Sequence, residues 1–273
     1  MRRRRTSYLD HLFTTLTWLG TAIMFAPIAW MVLTSFKTEQ DAVSYPPKFF
    51  FEPTLEHYRR IFENDFVSFA SVSLLATGLS TAIVIVLAVP AAYALTVRPV
   101  PKWRDVLFFF ISTKMMPIAA GIVPIYLVAG TFNLLNTATV LVIVYTSMNL
   151  PLAVWMIRSF MVEIPRDVFD AVQVDGAGRW REMLKIIVPL IMPGLASTAL
   201  LCGIFAWNEF FLAVNLTTTV STLPVFLQKF LSFGQLYTAQ VAAVATLVNV
   251  PVVVAGWVAQ KSLTRGLTFG AVR

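Results

Sequence analysis

Few side chains in this sequence could do covalent chemistry. There are two histidines, His11 and His57, and one cysteine, Cys202. No intrachain disulfide can form, and an all-protein zinc site has too few ligands. Neither a Gly-x-x-x-x-Gly-Lys-Ser/Thr phosphate loop nor a His-Glu-x-x-His metal pair occurs. The charges that need an account are Lys114 and Glu209, which lie within apolar stretches. A charge at the centre of a membrane helix costs about 2.5–3.5 kcal/mol on insertion scales, so both should face protein or water. Lys114 reads either as a snorkelling or carbonyl-satisfied structural cation or as a donor lining a pore. Glu209 follows Trp207 and Asn208. A flat ring beside amide and carboxylate acceptors suits a polyhydroxylated ligand, whose hydroxyls need partners and whose C–H faces stack on rings. Interhelical hydrogen bonding or a closed-state gate is the other reading. Two such groups are too few for a proton relay.

A second cluster lies in the polar segment 158–187. A connection of this length with its own periodicity is seldom passive. Pro165 can start a helix, with Asp167 in its first turn. Val168, Ala171 and Val172 give it a small apolar face, and Gly176 is placed to end it in a left-handed conformation. In a second helix Trp180, Met183, Leu184, Ile187 and Val188 recur at helical spacing, with Arg179, Arg181, Glu182 and Lys185 elsewhere. Pro189 then leads into the next apolar stretch. Two short helices joined at a glycine form a knob that could fit a socket on another protein and transmit rigid-body motion.

These residues must be positioned by a membrane bundle. The chain has 273 residues, 58% hydrophobic and 13% charged, with a mean hydropathy of +0.75. A soluble domain carries about 25% charged residues, so a soluble enzyme or a nucleic-acid-binding domain is excluded. Six stretches are long enough to span: 12–34, 68–96, 106–127, 134–157, 186–214 and 239–259. No barrel-type alternation appears, so the predicted fold is all-α with six transmembrane helices. The run Arg2–Arg5, with Arg98, Arg158, Lys261 and their neighbours, puts fifteen of the 21 basic residues on one side, against five on the other. That places both termini in the cytoplasm. Six acidic residues fall in the first outside loop: Glu39, Asp41, Glu52, Glu56, Glu63 and Asp65. They could dock an external partner or simply be solvated. Leu223, Phe226, Leu227, Phe230 and Leu231 share one helical face, which predicts a short interfacial helix at the outer surface. Pro27, Pro90, Pro117, Pro124, Pro193 and Pro251 fall within spans and could bend them.

Asp170-Ala171-Val172, three residues, Gly176, nine residues, Ile186, one residue and Val188-Pro189 resemble the EAA loop of ABC importer permeases, including its Asp175-Gly176-Ala177 core. Asp170, Val172 and Val188 depart from the family's Glu, Ala and Leu. The tail from Lys261 to Arg273 resembles the carbohydrate, maltose-type branch. The segments around Trp207-Asn208-Glu209 and Tyr145–Pro151 resemble sorbitol and mannitol permeases. The resemblance implies a type I ABC importer permease fold with a cytoplasmic coupling-helix loop, in a bacterial inner membrane. It implies a cytoplasmic N-terminus over 1–11, a permease domain over 12–259 with its coupling loop near 158–187, and a cytoplasmic tail over 260–273. Implied partners are a second permease, two ATP-binding subunits that hold ATP and Mg, and an extracytoplasmic solute-binding protein, with no cofactor or catalytic residue on this chain. Docking to the ATPase would fall to Asp170, Ala171, Val172, Asp175, Gly176 and Ala177, with Trp180 and Met183 as apolar contacts. The translocation path would include Lys114, Trp207, Asn208 and Glu209. An ion-coupled secondary transporter is the rival reading, and it would ordinarily carry an internal repeat.

Overall fold

The computed structural model describes residues 8–97, 100–231 and 237–268. The Arg2–Arg5 run, Arg98 and the end of the tail from residue 269 lie outside them. All the regular elements among the described residues are helices, the structure by which an apolar chain in lipid satisfies its backbone. Four helices are long and apolar enough to cross a membrane, and six spans result if each of two bent pairs counts as one.

The chain divides into two units. One comprises Met1–Asp65 and Leu227–Asn249. It holds α1 (Tyr8–Thr34), α2 (Glu39–Ala42) and α3 (Glu56–Glu63). Here most of the acidic loop is spoken for internally. Glu39 accepts hydrogen bonds from the N–H groups of Ala239 and Gln240 at 2.9 and 3.0 Å, at the start of α14 (Thr238–Thr268). Asp41 pairs with Lys48 at 2.6 Å. Glu56 pairs with Arg60, and Glu63 with Arg59. The hydrogen bond from the Lys48 ammonium holds the Asp41 carboxyl below the usual carboxylate range.

The other unit comprises Phe66–Phe226 and Val250–Arg273. Its centre is made by α4 (Phe66–Thr96), α7 (Ala138–Val162) and α11 (Met192–Trp207), which pack on one another. Val84, Ala88, Ala92, Val154, Ile157 and Met161 are buried where they meet. Gly194 permits one close approach, because a methyl built there would overlap the Phe160 ring.

The third and fifth spans are bent sharply, each at one of the prolines that could bend it. Span three is α5 (Trp103–Met115) and α6 (Ile118–Thr131), bent by 92°. The cause is Pro117, which forces Met116 into an extended conformation with ψ 132°. Span five is bent by 79° just before Pro193, which enters the first turn of α11. It stops at Asn208, and a separate short helix, α12 (Phe211–Leu216), follows. Pro27, Pro90, Pro124 and Pro251 lie inside helices that continue through them. α13 (Leu223–Leu231) takes the place foreseen for the interfacial helix. Its Leu223 and Phe226 are buried, with Phe226 against Phe66 and Phe69.

Candidate functional site

The knob is built as the spacing suggested. After Pro165, α8 (Arg166–Val174) carries Asp167 in its first turn. The helix ends at Gly176, which has φ +68°. The Ala177 N–H then donates to the Val172 carbonyl at 3.2 Å, the six-to-one bond that closes a left-handed helix end. A Cβ at Gly176 would meet nothing within 4 Å, so the requirement for glycine is conformational and not steric. Asp170, Ala171, Asp175 and Gly176 are exposed, and Ala177 is half-buried. Val172 turns inward and is 6% exposed.

The second helix departs from the predicted face. It runs as α9 (Arg179–Glu182), a π turn (Met183–Ile187) and α10 (Val188–Leu190). A π turn inserts an extra residue per turn, so apolar positions that a regular α-helix would align are divided. Trp180 is 69% exposed and Leu184 is also exposed, whereas Met183 and Ile187 are buried in the chain's own core. Met183 is therefore a packing residue and not an available surface contact. Glu182, assigned to the polar side by spacing, is also buried and accepts a hydrogen bond from the Tyr93 hydroxyl at 2.9 Å. That bond ties the knob to α4. It is a functional candidate the spacing missed, and nothing short of the π turn would have disclosed it.

The four residues considered for a translocation path do not converge. Lys114 sits in the last turn of α5, beside the Pro117 break. Its Nζ donates to the Met148 carbonyl at 3.2 Å and lies 5.2 Å from the centre of the Phe205 ring. It also lines a cavity of about 220 Å³ with Thr113, Ser147, Pro151 and Leu212. Trp207 is buried and lines a different cavity with Thr77, Gly203 and Pro251. Asn208 is exposed, but its amide donates back to Ile204 of its own helix at 2.8 Å. Glu209 is buried, and its two carboxylate oxygens accept from the N–H groups of Leu212 and Ala213 at 2.8 and 3.1 Å. It closes the start of α12, satisfying donors a helix leaves open. Its side chain caps α12 locally, and the Tyr145 hydroxyl of α7 donates to its carbonyl at 3.5 Å, which gives it the interhelical bond that was the alternative to ligand contact.

A second unforeseen element is Asn136, in the left-handed region with φ 59°. Its Oδ1 accepts from three successive N–H groups, Thr218, Thr219 and Val220, at 2.9 to 3.0 Å. Its own N–H donates to Leu216 at 2.9 Å. The asparagine fills a backbone nest and pins the α6–α7 loop to the loop after α12. Among the described residues no group of histidine, cysteine and carboxylate side chains could hold a metal.

Residues 84–263 match the family described as binding-protein-dependent transport system inner membrane component. The chain is 37% identical over 268 residues to the probable ABC transporter permease protein y4oR of Sinorhizobium fredii, covering 96% of this chain and 95% of that protein. It is 33% identical to the trehalose transport system permease protein SugB of Mycobacterium tuberculosis, with both chains covered in full. It is 31% identical to the diacetylchitobiose uptake system permease protein DasC of Streptomyces coelicolor, covering 90% and 91% of the two chains. Its fold matches a chain in the crystal structure of a bacterial ABC transporter involved in the import of the acidic polysaccharide alginate. The TM-score is 0.74 at 22% identity, over 96% of this chain and 98% of that one.

Proposed function

This chain belongs to the binding-protein-dependent transport system inner membrane components, and from that premise we propose that it is one permease of an ATP-driven carbohydrate importer. It is a non-catalytic subunit, and the ATPase of such a system resides on other chains. Relatives named for trehalose and diacetylchitobiose support the carbohydrate class. The narrower reading, a sugar alcohol such as sorbitol or mannitol, rests on the resemblance of the segments around Tyr145 and Trp207.

The observation that carries the proposal is the knob: a glycine-ended helix with Asp170 and Ala171 exposed along it, Asp175 exposed at its end, and Trp180 exposed on the short helix that follows. In the proposed cycle, ATP binding closes two ATPase subunits around the knobs of two permeases. The motion passes through Glu182 and Tyr93 into α4, and the spans reopen outward. A solute-binding protein then delivers substrate from outside. A second permease completes the path, to which Lys114 contributes from its cavity. Both termini face the cytoplasm in this topology. The permease domain occupies 12–259, with the coupling loop near 158–187 between the N-terminus at 1–11 and the tail at 260–273.

The test is uptake into proteoliposomes holding the co-purified complex and its binding protein, with labelled trehalose, sorbitol and mannitol offered in turn. Uptake that requires ATP inside and the binding protein outside supports an importer, and the preferred solute decides the class. Uptake driven by an ion gradient without ATP would replace this reading with a secondary transporter.

A further inference from the structure

On the knob side of the second unit, a cavity of about 520 Å³ opens among the ends of α4 and α7, the start of α5, and α8. Arg158 lies on its wall. The guanidinium stacks on Trp103, 4.6 Å from the ring centre. Its Nε is buried with no hydrogen-bond partner. Among the described residues no carboxylate forms an ion pair with it, and those pairs that do form lie around Lys48, His57, Arg59 and Arg60. Asp170 and Arg166 line the same cavity, so among the described residues its three charged side chains sum to +1. A buried guanidinium N–H without an acceptor is costly, and the stacking on Trp103 leaves its donor edge open.

The position of Arg158 indicates where the anion comes from. Trp155 and Val162 stand three residues before it and four after it on α7, and both are about half exposed. Apolar side chains so exposed on a membrane-spanning helix make a face suited to lipid. Val162 ends the helix, so Arg158 lies roughly 6 Å from that end at 1.5 Å per residue, near headgroup depth. Trp103 is the amphipathic ring favoured at that level. Met161, Ile164 and Phe169 supply an apolar floor in the same cavity.

We propose that this cavity binds the headgroup of an anionic phospholipid, with Arg158 holding the phosphate, Trp103 fixing the guanidinium, and the apolar floor receiving the glycerol and first acyl carbons. A guanidinium fork matches two phosphate oxygens, and the net positive charge favours anionic over zwitterionic lipid. A carboxylate from a docked protein would use the charge and leave the apolar floor and the flanking face on α7 unexplained. The site lies beside α8, so the lipid would brace the knob. The inference depends on membrane residence and not on which solute is carried.

The test is to purify the complex with its partner chains from native membranes and quantify retained phospholipids by mass spectrometry, without any transport measurement. The native complex should retain anionic phospholipid, and Arg158→Gln should lower that retention about fivefold while zwitterionic lipid is unchanged. Trp103→Leu, which removes the stacking ring and no charge, should lower it in the same direction and serves if Arg158→Gln does not assemble. Excess inorganic phosphate should not displace the lipid. Displacement by phosphate alone would make this a free-anion site and overturn the lipid assignment. Unchanged lipid with loss of the ATPase subunit from Arg158→Gln would overturn it in favour of a protein carboxylate.

Discussion

The knob and the interior of the spans both contain scarce polar residues, but use them in opposite ways. In the knob, Asp170, Asp175 and Trp180 stand at the surface, around a helix end held by the chain's own backbone. In the interior, Lys114, Asn208 and Glu209 are engaged by backbone groups of their own unit. The contrast follows from solvent. In lipid a polar group is satisfied internally or not at all, whereas at the aqueous face a side chain can wait for a partner. The recognition surface is therefore better sought at the knob, and the interior polar groups first hold bent helices in shape.

The contrast can be broken by substitution. The largest effect is expected from Gly176→Val. A β-branched residue resists φ +68° at a cost of about 1–3 kcal/mol, so the turn should open and ATP-driven uptake fall to background while the chain still inserts. Gly176→Asn, which tolerates the left-handed region, should retain most uptake, because nothing crowds the position. Comparison of the two by transport and by membrane abundance separates conformation from insertion.

Next in size is Glu182→Ala, which removes the acceptor of the Tyr93 bond inside the core. Hydrogen bonds to charged groups contribute about 1.5–3 kcal/mol, so the purified complex should melt earlier and ATP hydrolysis should become less dependent on the binding protein. Tyr93→Phe should move both readouts in the same direction by less. A smaller, separable effect is expected of Lys114→Met. Loss of one donor facing the cavity, on the order of 1.4 kcal/mol, should slow uptake about tenfold without releasing the ATPase subunits, as measured by uptake beside co-purification.

The smallest effect concerns Asp41. Its carboxyl is held below the ordinary value by Lys48, so the ion pair stabilises fully above about pH 3.9, the unfolded value. That contribution fades as pH falls through the lower folded value. Asp41→Asn should slightly lower the melting temperature at neutral pH, and the difference from the native protein should close as pH falls through the lower folded value.

Much of this was legible in the sequence, for identifiable reasons. Apolar run length marks a span because the bilayer sets it, and the approximate positions of the six stretches agree with the helices and bent pairs that form. Pro165, Asp167 and Gly176 announced α8 because each acts locally on the backbone. The bends were only half legible: six prolines were candidates, and four helices run on through theirs. The inward turn of Met183 and Glu182 was hidden because a π turn changes the helical period on which a face is counted. Asn136 was hidden because its three donors lie more than eighty residues away.

The most direct measurement is site-directed crosslinking from the knob in native membranes. The lone native cysteine, Cys202, is buried, so background reaction is low. Asp170→Cys and Trp180→Cys, at exposed positions, should each crosslink to an ATP-binding subunit, and Met183→Cys, turned into the core, should not. Crosslinking from Met183→Cys alone, or from none of the three in a complex that still transports, would contradict the assignment of the knob as the ATPase-docking element.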